Sequence, residues 1–327
     1  MSARDHTGTA DAGATAPGAI NQTMGSREWG ILLFLALIWG GSFFFIKVAV
    51  SHVPPLTFVW VRVTIAAFAL IAYTSLRGEQ GLVGWRLMGP MLIVALLNNV
   101  VPFLMFAWAN TQIASGLTSI LNATTPLWGV LLAHLYTDDE RMTRNRLFGV
   151  IVGIGGVALM MGPAIFGQLG NGLVAQLACL VGAFSYAVAG VYARRFKKMA
   201  VSAMSVTSSQ LAVSALLLLP VTLLFDRPWT ETFPPLGAVA AILGLALVCT
   251  SFAYVLYFRL IETSGASNAL LVPILVPPTA ILLGGLFLGE DLHARDFGGL
   301  LLIALGLAAI DGRIFSLWRR PSLRPAA

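Results

Sequence analysis

The amino-acid sequence predicts an all-α integral membrane protein of ten transmembrane helices, arranged as two inverted five-helix repeats. Three observations predict it: long stretches without any charge, basic residues segregated to alternate loops, and a doubled order of small, polar and acidic residues. Of 327 residues, 57% are apolar and only 10% charged, and the mean hydropathy is +0.84. A soluble domain carries about a quarter charged residues on average.

The charge-free stretches set the helices. No Asp, Glu, Lys or Arg occurs from Leu87 to Thr137, Leu147 to Ala193, Met199 to Phe225, Thr232 to Phe258 or Thr263 to Gly289. Crossing the hydrocarbon core takes roughly 20 apolar residues. The first two stretches therefore hold two spans each and the other three hold one each. With the two N-terminal segments and the last apolar run, the spans fall at 28–50, 55–75, 87–109, 112–134, 147–163, 171–193, 202–225, 235–258, 265–288 and 297–316. Residues 1–26 are rich in Ala, Gly and Thr, have little to bury and are expected to be a disordered tail. No apolar signal core precedes the first span, so no cleavage is expected. The chain thus divides into a tail at 1–26, a first unit at 27–163, a second at 171–316 and a tail at 317–327.

Ten spans put both termini on one side. Pooling the loops accordingly gives sixteen Lys and Arg on the terminal side against three, Lys47, Arg227 and Arg295, on the other, with Arg62 inside span 2. Basic loops remain in the cytoplasm, so both termini are expected there, as in a multi-pass protein of a bacterial inner membrane. Trp29, Trp85 and Trp318 sit at cytoplasmic span ends, the expected place for an interfacial aromatic belt. The net charge of +6 reads as this orientation signal, and no nucleic-acid partner is expected. Cys179 and Cys249 fall inside spans as small apolar residues, implying neither a disulfide framework nor a metal site.

Spans 3–5 resemble spans 8–10. Ala114-Ser115 opens span 4 as Ala266-Ser267 opens span 9; Pro126 then matches Pro278, Glu140 matches Glu290, and Gly149 and Gly156 match Gly299 and Gly306. Gly40 and Gly182 are weaker partners in spans 1 and 6. A five-helix repeat is odd, so its two copies insert with opposite orientation, a recurrent plan in secondary transporters. A duplication kept only for packing is the alternative.

At these residues the chain resembles the EamA family of the drug/metabolite transporter superfamily. The matching pieces are Trp39-Gly40-Gly41-Ser42-Phe43 with Lys47 in span 1, and Pro55 followed by Arg62 in span 2. The Ala-Ser and Pro pairs of spans 4 and 9 and the Glu-to-Gly runs at 140–149 and 289–299 complete the resemblance, which covers about residues 28–315. It implies ten helices in two inverted halves, with a central cavity lined by spans 1, 3, 4, 6, 8 and 9. It also implies export of amino acids and other metabolites.

Inside a membrane, a polar side chain must find a partner or face a wet cavity. Asn98, Asn99 and Asn122 fall near mid-depth, and amides supply donors and acceptors suited to a zwitterion. Ser115, Thr118, Ser119, Asn122, Thr125 and Pro126 form a small polar stripe along span 4, suited to a cavity wall or to close helix packing. Among aromatic residues, Trp39, Phe103, Phe106, Trp108, Tyr186, Tyr254 and Tyr257 could line a site for an amphiphilic solute or pack in the core. The expected substrate-binding set is Trp39, Asn98, Asn99, Phe103, Ser119, Asn122, Tyr186, Tyr254 and Tyr257.

Pro102, Pro126, Pro273, Pro277 and Pro278 interrupt spans 3, 4 and 9. Each removes a backbone donor, giving either hinges that rock during transport or static bends. Gly149, Gly153, Gly298, Gly299 and Gly306 read as close helix packing, within a protomer or between two, so a monomer or a homodimer is expected. Lys47 and Arg62 fall toward the outer face, as an electropositive funnel for carboxylates or as snorkelling cations paired with Asp226 or Glu290.

All fourteen acidic residues lie in tails, loops or span ends, and His52, His134 and His293 are peripheral. The expected cavity therefore has amides but no ionisable group at its centre. Without a buried carboxylate or histidine relay, facilitated diffusion or exchange is expected. No Gly-Lys-Ser/Thr phosphate loop and no catalytic or metal cluster is visible, so neither an enzyme nor a cofactor is expected. A small-molecule or multidrug efflux carrier and a channel-like facilitator are the alternatives to metabolite export.

Overall fold

The structure is a computed structural model that describes residues 25–136, 142–161, 171–197, 199, 201–264, 269 and 272–311. Residues 1–24 of the expected N-terminal tail, the expected C-terminal tail, Glu140, the Ala266-Ser267 pair and Trp318 lie outside these residues. Among the described residues the chain is helical throughout, with no strand.

The chain runs through α1 (Ser26–Val50), α2 (Pro55–Leu76), α3 (Trp85–Gln112), α4 (Ser115–Tyr136) and α5 (Arg144–Met161). It continues through α6 (Asn171–Lys197), α7 (Ala203–Phe225), α8 (Leu236–Ser264), α9 (Val272–Leu288) and α10 (Ala294–Asp311). Seven of these, α1–α4 and α6–α8, are long and apolar enough to cross a membrane. The remaining three are shorter, at 18, 17 and 18 residues. Large apolar side chains such as Leu33, Phe68, Leu216, Leu286 and Leu301 are exposed on the outside of the bundle. A surface of that kind is suited to lipid rather than water.

Local sequence explains the starts and breaks. Pro55 opens α2, where its missing N–H costs nothing. Gly289 ends α9 with a left-handed φ of 62°, which favours glycine. Helix α4 breaks at Ala123 and Thr124 and resumes at Thr125. Pro126 lies four residues after Asn122, so its ring cannot follow a helical Asn122 carbonyl. That carbonyl accepts from Thr125 Oγ1 at 2.7 Å instead.

Helix α3 passes through a π-helical turn at Leu96–Val100, just before Pro102. The wider turn lets the chain carry a proline, and it presents Asn98 and Asn99. Helix α8 has a π-helical stretch at Gly244–Phe252. There Thr250 Oγ1 donates to the Leu245 carbonyl at 2.8 Å and Ser251 Oγ to that of Ala246 at 2.9 Å. Both acceptors lie five residues back, matching the π register. Neither stretch was visible as periodicity in the sequence. By contrast, α9 runs through Pro277 and Pro278 without a break.

Close approach holds the long helices together. A Cβ on Gly40 of α1 would collide with Thr279 and would meet the Val276 carbonyl oxygen at 2.8 Å, so α1 lies directly on α9. Helices α5 and α10 cross where Gly149 meets the Gly306 carbonyl and where a Cβ on Gly156 would lie 2.7 Å from the Gly299 carbonyl oxygen. The glycines read as packing residues thus pack within one chain.

Candidate functional site

A cavity of about 560 Å³ runs up the middle of the bundle. Its wall is built from α1, α2, α3, α4, α6, α7, α8 and α9. It reaches the α6–α7 turn, where exposed Ala203 forms part of its lining, so it opens at that end.

Seven of the nine expected binding residues border this cavity: Trp39, Asn98, Phe103, Asn122, Tyr186, Tyr254 and Tyr257. The rings form two groups. Trp39 of α1 lies 5.3 Å from Tyr257 of α8, centroid to centroid. Tyr186 of α6 stacks on Phe106 of α3 at 5.9 Å and meets Phe103 edgewise at 6.4 Å. The Asn122 Oδ1 atom is buried and accepts no hydrogen bond.

Asn99 and Ser119 are placed elsewhere. Asn99 is fully buried between α3 and α7, where its Nδ2 donates to Ser214 Oγ at 3.1 Å. Ser119 is buried and donates to the Gly116 carbonyl at 2.7 Å, bonding back into its own helix. The polar stripe of α4 therefore divides: Thr118 and Ser119 are packed inside, while Asn122 and Thr125 border the cavity. Of the expected hinges, Pro273 lines the cavity, Pro102 follows the π turn and Pro126 follows the α4 break.

Arg62 corrects the expectation of a cavity without an ionisable group. Its side chain is 8% exposed and lines the cavity. The guanidinium carbon lies 3.7 Å from the centroid of the Phe103 ring, and Nε donates to Thr250 Oγ1 at 3.2 Å. A guanidinium on an aromatic face gains roughly 0.5–2 kcal/mol. No Asp or Glu is among the described lining residues.

No direct salt bridge joins Lys47 or Arg62 to Asp226 or Glu290, although Glu290 lies near enough to Lys47 for their charges to attract; the acids and Lys47 bond helix ends instead. Asp226 Oδ2 accepts from Thr57 N at 2.7 Å and Thr57 Oγ1 at 2.9 Å, at the start of α2. Glu290 accepts from Ser115 N at 2.8 Å, Ser115 Oγ at 2.8 Å and Gly116 N at 3.3 Å, at the start of α4. Lys47 Nζ donates to the Asn110 and Ile113 carbonyls at 2.7 and 2.9 Å, at the end of α3. Free amides at a helix start attract carboxylates, and free carbonyls at a helix end attract cations. These three ties cross-link neighbouring helices at the end of the bundle away from the cavity mouth.

Sequence reasoning missed Gln210 on α7 and Thr250 on α8. Gln210 Oε1 accepts from Asn98 Nδ2 at 3.3 Å across the cavity wall. An amide within the charge-free stretch from Met199 to Phe225 carries the same signal that marked the asparagines, so Gln210 could have been found. Thr250 could not, because its role depends on the π stretch.

The chain matches the EamA-like transporter family over residues 28–162 and again over 173–310. It is similar to the uncharacterized transporter YoaV of Bacillus subtilis, 26% identical over 84% of this chain and 94% of that protein. It is equally similar, at 26%, to the inner membrane transporter YedA of Escherichia coli K12, over 88% of this chain and 92% of YedA. A probable amino-acid metabolite efflux pump of the same organism is 25% identical over 90% of this chain and 98% of the pump. A solved crystal structure superposes with a TM-score of 0.63 at 19% identity, covering 90% of this chain and 99% of that one, and shares its fold. The chain belongs to the EamA-like transporter family and is a multi-pass membrane transporter.

Proposed function

We propose that this EamA-family transporter is a secondary carrier that exports amino acids or related metabolites by alternating access, with no catalytic step. The observation that carries the reading is the cavity, open at the α6–α7 turn, with polar ties between helices at the other end, and lined by aromatic rings, amides and one cation. A site reached from one side, with polar ties holding the other, is what a carrier needs in one of its two states. The name of the efflux pump similar to this chain supports amino-acid metabolites as cargo. A carrier of less selective small molecules is the alternative reading, favoured by the size and aromatic wall of the cavity. A channel-like facilitator is disfavoured by the polar ties that cross-link the far end of the bundle.

The architecture in this proposal is ten crossings in two oppositely inserted halves. The glycine contacts of α5 and α10 support it. The sequence pairs Gly149 with Gly299 and Gly156 with Gly306, while the contacts join Gly149 to Gly306 and Gly156 to Gly299. Exchanging the two halves turns one contact into the other, as a two-fold axis between antiparallel helices requires. Loop charge puts both termini in the cytoplasm, so the cavity faces inward here. With no acid or histidine among the described lining residues, exchange or facilitated diffusion is the expected mode.

The test is reconstitution. Purified protein screened for thermal stabilisation by amino acids, nucleosides and cationic drugs identifies ligands, which are then followed in proteoliposomes. Saturable uptake with counterflow supports a carrier; flux that neither saturates nor exchanges overturns it.

A further inference from the structure

We propose that Arg62 is the anchor for a carboxylate of the transported solute, so that the cavity selects amino acids and organic acids over carboxylate-free analogues. The inference rests on the carrier reading of the cavity and names the chemistry of its cargo.

Arginine stays protonated in proteins, so burial cannot neutralise Arg62 as it would a lysine. A buried cation is costly unless a counter-charge and hydrogen bonds compensate it. The protein supplies only part of that compensation: the Phe103 face on one side and the Thr250 hydroxyl at Nε. The other guanidinium N–H groups donate to no described residue. The acids that could have approached are held at the helix starts, Asp226 by Thr57 and Glu290 by Ser115. What remains is a planar fork of donors at a cavity wall whose described residues include no carboxylate. That fork matches a carboxylate in two-point geometry.

Phe103 and Thr250 fix the plane of the fork before any solute arrives, which reduces the ordering cost of binding. Asn122 supplies the complementary feature. Its Oδ1 is buried and accepts nothing from the protein, and the residue borders the same cavity. An unsatisfied buried acceptor suits an ammonium donor. A zwitterion could thus place its carboxylate on Arg62 and its ammonium on Asn122, with its side chain among the rings of Trp39, Tyr257 and Tyr186. A simple organic acid shares the first contact and lacks the second.

The experiment compares matched probes on the purified full chain, by thermal stabilisation and by counterflow in liposomes. The probes are leucine, leucinamide and 4-methylvalerate, and phenylalanine, phenylalaninamide and 3-phenylpropionate. The wild type is expected to favour each acid over its amide at least tenfold. Arg62→Gln is expected to bring acid and amide within twofold. Arg62→Lys keeps the charge without the fork and is expected to cut the preference at least threefold, which decides the matter if Arg62→Gln does not fold. Asn122→Ala is expected to penalise leucine over 4-methylvalerate if amino acids are the cargo. Equal handling of acids and amides by the wild type, binding of none of the carboxylates, or an undiminished preference in both Arg62 variants overturns the anchor. Selective binding without counterflow supports the anchor and removes the carrier reading.

Discussion

The guanidinium of Arg62 on α2 lies over the Phe103 ring of α3, 3.7 Å from its centroid, and both residues line the cavity. The ring orients the cation and screens one of its faces from the apolar surroundings. Phe103→Ala removes that face, a contact worth roughly 0.5–2 kcal/mol. It is expected to lower both the melting temperature and the affinity for acidic probes, while Phe103→Trp retains them. Thermal melting with and without leucine measures both effects.

Residues bordering the cavity and residues buried beside it are expected to separate in behaviour. Trp39→Ala should abolish stabilisation by any true substrate, and Asn122→Ala should weaken stabilisation by amino acids, while both leave the melting temperature of the empty protein nearly unchanged. Asn99→Ala leaves Ser214 Oγ without its donor. It should lower the empty protein's stability by about 1–3 kcal/mol and leave the ligand-induced shift intact. The pattern is read in one melting series.

Glu290 ties the loop between α9 and α10 to the start of α4. Glu290→Gln weakens that tie by removing the charge that the helix start favours. It is expected to shift the population toward the state open at the other end. Labelling of Ile46→Cys, a buried residue of the cavity wall, by an impermeant maleimide added from the side opposite the cavity mouth should rise several-fold. An unchanged rate would mean that the tie does not control access.

The packing of α1 on α9 leaves no room for a methyl group at Gly40. Gly40→Ala is expected to cost about 1–3 kcal/mol through overpacking, whereas Gly30→Ala, where a Cβ meets nothing within 4 Å, should be neutral. Denaturation of the two variants in the same detergent compares them.

Much of the helix pattern was legible because charge is so costly in a membrane that its absence marks a span. Trp39, Asn122 and Tyr254 could be picked out because polar or aromatic groups at mid-depth need a reason to be there. What could not be read was direction around a helix. Asn98 and Asn99 are adjacent and chemically identical, yet the π turn sends one to the cavity and the other to Ser214. Arg62 was misplaced for a related reason. Depth along a span says how far a cation must reach to find water, but not that an internal cavity lies closer. Its expected acidic partners were unavailable because helix starts had claimed them, a competition invisible without the contacts.

The most direct test is to obstruct the cavity at Gly190, which borders it and where a side chain would meet nothing within 4 Å. With Cys179 and Cys249 replaced by alanine, Gly190→Cys should exchange solute in proteoliposomes until a bulky maleimide is attached. Labelling should then stop counterflow, and bound solute should slow the labelling. Full exchange by protein labelled to completion at residue 190 would contradict a solute path through this cavity.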